Sequence, residues 1–344
     1  MDERLTIILA LKGRHQFTER WLNFANKNLN KFKILIADGS NKDDYYTLDK
    51  KKFPNLDILQ KKFPPDLEIK DFIEKLYTSS QATASKYILY ADNDDFLNEN
   101  ELINNLNFLD ENKSYSASRG EIYDFSIDSF NEIYGNIIGL KRFIKPLSFE
   151  KENSFDRFYE FAVNRQGLLH CITRRDIFIE ILKISIDNKF FDLTTFLLFY
   201  NYYLAISGKI FCSSNLYMLH QNHKFMLSKN SKLISIKNSG FMSEEVTENF
   251  LKIISKKVFN DEIENLDKIN KIKDIFYRNF ILEKLVYYED VELNKSLKLK
   301  ILDLVKDTLV FSLYLKAKNV IKKKNNFIEN DVNYKIIKVF LKQE

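Results

Sequence analysis

Glycine and proline are scarce, at 8 and 4 in 344 residues. So few turn formers exclude a collagen-like or Pro/Gly-rich disordered chain and predict long helices with few tight turns. Cysteine occurs only at Cys171 and Cys212, both in apolar segments. A disulfide-stapled scaffold is excluded, and no zinc spacing exists. The two thiols read as small buried hydrophobes in a reducing compartment. Long uninterrupted apolar runs are missing too. The most membrane-like stretch, Phe190 to Ile206, is short for a span and is broken by Asp192, two threonines and Asn201. It reads as a buried helix. Met1 to Arg4 leads straight into a strand pattern, unlike a signal peptide. A soluble cytoplasmic protein is expected. The net charge of +5 falls short of a nucleic-acid-binding profile, so no nucleic-acid partner is expected; it suits anionic ligands or contact with a membrane face.

What is present is a core. The chain is 45% hydrophobic and 14% aromatic, enough for one large domain or a domain with an appendage. Leu5–Leu11 and Phe32–Ala37 are continuous apolar runs, the signature of strands buried on both faces. Between them, Phe17, Trp21, Phe24, Ala25 and Leu29 have helical spacing. Leu56–Leu59 and Leu67–Ile69 read as short strands, Asp71–Ser85 as a helix and Lys86–Ala91 as a third buried strand. This alternation predicts an α/β fold with a mostly parallel sheet. Further on, Glu99–Leu109, Phe155–Asn164, Asp176–Ile186 and the segment ending at Ile206 read as helices. Tyr115–Ile127 reads as an antiparallel strand or hairpin, and Lys209–Cys212 and Leu216–Leu219 as two strands. Residues 224–240 are polar and read as a loop or linker. They divide a domain of residues 1–235 from a helical region of residues 241–344, expected as helices Glu244–Val258, Ile263–Tyr288 and Leu293–Lys324. The apolar faces of these helices must be buried against the first domain or a second copy, which makes them a candidate homo-oligomer contact. The basic face around Lys316–Lys324 is a candidate for anionic lipid.

Ligands of open α/β sheets sit at the carboxyl ends of the strands. Three polar clusters directly follow predicted strands: Lys12 to Arg14, Asp38 to Ser40, and Asp92-Asn93-Asp94-Asp95. The last packs three carboxylates into four positions, which repel unless a cation joins them. Hard divalent cations take carboxylate and phosphate oxygens, so this cluster suggests a metal–phosphate site. The alternative is an Asp-rich turn capping the helix that begins near Asn98.

These clusters resemble the landmarks of inverting GT-A glycosyltransferases of the bacterial surface-polysaccharide type. The resemblance covers residues 4–223. It rests on the basic loop ending in Arg14, on Asp38-Gly-Ser40, on the acidic Asp92–Asp95 motif, and on Phe191-Asp192 followed by a helix, Gly208-Lys-Ile and His220. It implies a GT-A fold and a metal-dependent inverting transfer from a nucleotide-diphosphate sugar to a glycan or lipid-linked glycan, with Mn²⁺ or Mg²⁺ as cofactor. Asp94, Asp95 and His220 are the implied metal ligands. Arg14, Asp38, Asp92 and Lys224 are the implied donor contacts. Asp192 is the candidate general base, and an ordinary N-cap is its alternative role. Phe191 stands where many relatives have Glu. That departure supports a second expectation, a sugar-nucleotide-binding or scaffold protein without turnover. A nucleotidyltransferase is disfavoured, because the loop after the first strand holds one glycine only.

Overall fold

The computed structural model describes residues 1–129, 131–144, 146–223, 244–260, 265–293 and 328–342. The apolar runs form the sheet's centre. Strands β1 (Asp2–Leu11), β2 (Phe32–Asp38), β3 (Asp57–Lys62) and β4 (Tyr87–Ala91) stand in the order β3-β2-β1-β4. Each is parallel to its neighbour. Helix α1 (His15–Asn28) covers one face and α2 (Ile69–Gln81) the other. Leu5, Ile7 and Leu9 of β1 pack in one core with Trp21 and Phe24 of α1. Ile8 between them packs in the second core with Ile73 and Leu76 of α2. Two covered faces explain why the run is continuous and not alternating.

Beyond β4 the sheet continues through β8 (Ile172–Arg174), β6 (Tyr115–Ile127), β9 (Lys209–Gln221) and the short β5 (Phe96–Leu97), with β7 (Ile137–Ile144) attached to β6. The long β6–β9 ladder is parallel; β5, β7 and β8 are antiparallel additions. The longest ladders are therefore parallel, and the sheet is flanked by helices as the sequence leads one to expect. Helix α3 (Glu99–Glu111) joins the first core, and α4 (Ser154–Val163), α5 (Arg175–Asp187) and α6 (Leu193–Ser207) build the second.

Local differences from the sequence expectation have local causes. Tyr115–Ile127 runs parallel to β9 and antiparallel only to β7 and β8. The strands expected at 209–212 and 216–219 are one strand, whose polar middle bulges opposite Gly120. There, a Cβ on Gly120 would lie 2.6 Å from the Asn215 carbonyl. Leu67 lies in the approach to α2, which is closed by a capping box between Glu68 and Asp71.

Three helices of the C-terminal region are described: α7 (Glu244–Phe259), α8 (Leu266–Leu293) and α9 (Val332–Leu341). Phe250, Ile254 and Phe276 enter the second core. Tyr334, Ile337, Phe340 and Leu341 enter the first. Phe340 meets the edges of Phe24 at 5.3 Å and Phe96 at 6.1 Å, and burying such a ring contributes about 1.5–3 kcal/mol. Most of the expected helix 293–324 lies outside the described residues, as does the basic face at 316–324. Among the described residues no helix is long and apolar enough to cross a membrane.

The turn after β2 is the tightest approach in this architecture. A Cβ on Gly39 would stand 2.3 Å from the Asp66 carboxylate, and the Asp66 amide donates to the Gly39 carbonyl at 2.8 Å. Gly39→Ala is expected to cost about 1–3 kcal/mol through overpacking, measured by urea denaturation. An unchanged midpoint would mean that this loop yields freely.

Candidate functional site

The acidic tip of β4 is not a helix cap. Asn98 caps α3, its side-chain oxygen accepting from the Glu101 amide at 3.4 Å. The carboxylates before it are engaged elsewhere. Asp92 accepts from the Tyr90 hydroxyl at 2.5 Å. Asp94 accepts from Arg14 at 2.8 Å and from His223 Nε2 at 2.6 Å, both at its Oδ2. Asp95 accepts from the Gln221 amide at 3.3 Å.

Burial favours the neutral form of Asp94, but the bond from His223 and the charge of Arg14 outweigh it and hold its carboxyl well below the usual range. Asp95 lacks such partners. Burial pushes it well above the usual carboxylate range, and the neighbouring acids add to the effect although His220 opposes it. Adjacent carboxylates are thus driven in opposite directions. His220 donates to Asp124 at 2.9 Å under the parallel ring of Phe143. Burial disfavours its charge, yet Asp95 and Asp124 carry it up to about 9.

Arg14 reaches the acids because the chain turns sharply ahead of α1. Gly13 and Arg14 both have positive φ, at 66° and 60°. The Arg14 carbonyl then accepts the amides of Phe17 and Thr18, which starts α1. Asn93 fastens the same helix end by donating to Thr18 Oγ1 at 2.9 Å. Deeper in, Arg20 is 1% exposed and lies between the rings of Phe17 and Phe96. It donates to the carbonyls of Asp94 and Ile133 and to Gln221 Oε1. Burial pulls its guanidinium down to about 10.

Asp38 is fully buried and closes its own loop. It accepts from the Ser40 amide and hydroxyl and from the Tyr46 amide. Ser40 Oγ in turn accepts from the Gly13 amide at 2.8 Å, so the loops after β1 and β2 are tied together. Behind them Lys75 bonds Asp66 and the Leu11 carbonyl inside the protein. Asp192 is the N-cap of α6, its two oxygens accepting from the Thr195 amide at 3.0 Å and hydroxyl at 3.2 Å. Its helix reaches the acidic tip through ring contacts, Phe196 to Phe72 and Phe72 to Tyr90. Lys224 lies outside the described residues.

The structure also brings in His170, which the sequence reading passed over. One ligand atom each from Asp92, Asp95 and His170 lie within 4.8 Å of one another. Asp94 faces Arg14 and His223, and His220 faces Asp124, so neither belongs to this set. The set suits a cation on its own chemistry. Asp95 Oδ2 and His170 Nδ1 are buried without a hydrogen-bond partner, each at a cost of about 1–3 kcal/mol, and burial pulls the His170 ring below its ordinary pKa. Two carboxylates and one imidazole could hold a divalent ion and leave positions for phosphate oxygens. The signal for His170 was thin, one histidine ahead of a short apolar strand. Lys75 was easier to find, because Phe72, Lys75, Leu76 and Ser79 share one helix face and place a lysine on the buried stripe.

The chain shares its fold with TarS of S. aureus. TarS residues 1–349 bound to UDP-GlcNAc superpose with a TM-score of 0.52 at 12% identity, covering 86% of this chain and 77% of that one. The same TarS residues without a named ligand give 0.50 at 12%, covering 85% and 76%. This chain spans 43% of the length of a longer TarS chain. No family model matches the sequence, and no curated protein sequence matches it significantly.

The Arg14–Asp94 pair allows a direct test. Arg14→Met leaves Asp94 with one of its two charged or ring partners in a buried setting, and is expected to destabilise by about 3–5 kcal/mol. Adding Asp94→Asn should recover much of that loss. The check is urea denaturation of both variants at neutral pH; equal stability of parent and single variant would remove the pair from the account.

Proposed function

We propose that the protein is a metal-dependent inverting glycosyltransferase. It moves a sugar from a nucleoside-diphosphate donor to a glycan or lipid-linked glycan acceptor. One observation carries this reading: the loops after β1, β2 and β4 converge on one rim where a buried acceptor atom of Asp95 and a ring nitrogen of His170 lack partners. A cation with a diphosphate satisfies such atoms. The fold likeness to TarS bound to UDP-GlcNAc supports a nucleotide sugar, and a uridine donor is the first to try.

In this proposal Asp92, Asp95 and His170 hold Mn²⁺ or Mg²⁺, in place of the Asp94, Asp95 and His220 set that the sequence suggested. The ion, when bound, neutralises charge on the departing diphosphate. Arg14, which already bonds Asp94 on the same rim, would supply positive charge to the diphosphate. Asp38 acts through the loop it closes. Asp192 takes the proton of the acceptor hydroxyl as that oxygen attacks the anomeric carbon from the face opposite the leaving nucleoside diphosphate. Residues 1–235 carry this chemistry. The helices of 241–344 serve acceptor delivery, assembly or membrane contact on the cytoplasmic side.

A thermal-shift series tests the donor and the ion together. UDP with Mn²⁺ is expected to raise the melting temperature, since ligand at a hundred times its Kd stabilises by about 2.7 kcal/mol. UDP with a chelator should give little shift. His170→Ala should abolish the Mn²⁺-dependent part, whereas shifts that ignore Mn²⁺ in parent and variant alike would refute the ion site.

The competing reading, a sugar-nucleotide-binding scaffold without turnover, has Phe191 in its favour and, from the structure, the fact that both oxygens of Asp192 already cap α6. Asp192→Asn separates the two. An amide preserves one capping acceptor, so donor-induced stabilisation should persist while transfer to acceptor falls by about 10²–10⁴-fold. Full transfer activity in this variant would leave Asp192 a cap.

A further inference from the structure

We infer that the outer face of α9 docks on an anionic lipid surface. Helix α9 is amphipathic in an unusual sense, because it is apolar on two sides. Tyr334, Ile337, Phe340 and Leu341 face the first core. Val332, Ile336 and Val339 recur at the spacing of one helix face and are 68%, 41% and 59% exposed. They border a cleft of about 370 Å³ against the end of α1, lined by Lys27 and Asn28. A second cleft continues along residues 97–100, just beyond the acidic tip in the chain.

Charge decides what covers this stripe. Lys335 and Lys342 are exposed on one flank of α9, and Lys27 is exposed at the end of α1 on the other. The nearby carboxylates are largely engaged. Asp331 accepts from the amides of Asn333 and Tyr334, and Glu99 is paired with Lys31 at 3.1 Å. Glu329 is exposed beyond the amino end of the stripe. An aliphatic stripe rimmed by lysines matches the boundary between acyl chains and anionic headgroups. A second copy of the chain fits less well. Three aliphatic side chains fall far short of the roughly 800 Å² per partner of a stable interface, and a two-fold pairing brings lysine rims together.

Ten residues give a short contact, so attachment needs both signals, the apolar stripe and the lysines, and is reversible and salt-sensitive. The docking itself does not depend on the transfer chemistry. Its consequence, a lipid-linked acceptor held close to the rim of β4, rests on the proposed glycosyltransferase activity.

The test is co-sedimentation of the full chain with vesicles of phosphatidylcholine alone and of phosphatidylcholine with phosphatidylglycerol. Binding is expected only to the anionic vesicles and should fall as salt rises. Two variants dissect it: Val332→Ser with Ile336→Ser and Val339→Ser, and Lys335→Glu with Lys342→Glu. Each should weaken binding roughly tenfold or more while the melting temperature stays near the parent's, since the altered side chains are exposed. Three results overturn the inference. These are no sedimentation of the parent with anionic vesicles, undiminished binding by both variants, or a parent dimer in light scattering that the triple serine variant dissociates without any vesicle binding. A failed nucleotide titration with intact vesicle binding would strike the glycosyltransferase proposal alone.

Discussion

The fold has to bury carboxylates at the end of its central strand, and much of the surrounding structure answers that constraint. An ionised acid away from water needs a counter-charge or hydrogen-bond donors. Asp94 finds both, in Arg14 from the loop after β1 and His223 from beyond the end of β9. These partners are far apart in sequence. Their meeting fixes the start of α1 against the last turn of the sheet. Asp95, one residue on, is left with a single amide and is driven toward its neutral form.

Loop rigidity follows from a second set of buried polar links. Asp38 holds Ser40, Ser40 holds the Gly13 amide, and Lys75 bridges Asp66 to the end of β1. The last two links join the carboxyl end of one strand to that of another, and the rim is organised before any ligand arrives. Such preorganisation lowers the ordering cost of binding. The C-terminal helices contribute from behind: α7 and α8 complete the core under α6, and α9 seals α1 against Phe96, directly after the acids.

The sequence carried the fold well where one physical signal dominated. Continuous apolar runs gave β1, β2 and β4, and helical spacing gave α1 and α3 to α6 near their observed bounds. It carried poorly what depends on partners. β7 has no apolar run of its own strength, and the polar bulge in β9 makes one continuous strand read as two. At the site, the clusters after β1, β2 and β4 were legible because strand ends collect ligands. The roles within them were not. Asp38 and Asp92 look alike in sequence, yet one closes its own loop and the other leans on Tyr90 toward His170.

By itself, then, the amino-acid order determined the strands, most helices and the rim on which polar residues gather, since hydrophobic period and strand-end position are local properties. Only the tertiary structure decided which charged groups meet. Arg14 with Asp94, Lys75 with Asp66, His220 with Asp124, and His170 with Asp92 and Asp95 are pairings across 9 to 96 positions of chain. Electrostatic partnership depends on distance and burial after folding, and neither is written in any short stretch of sequence.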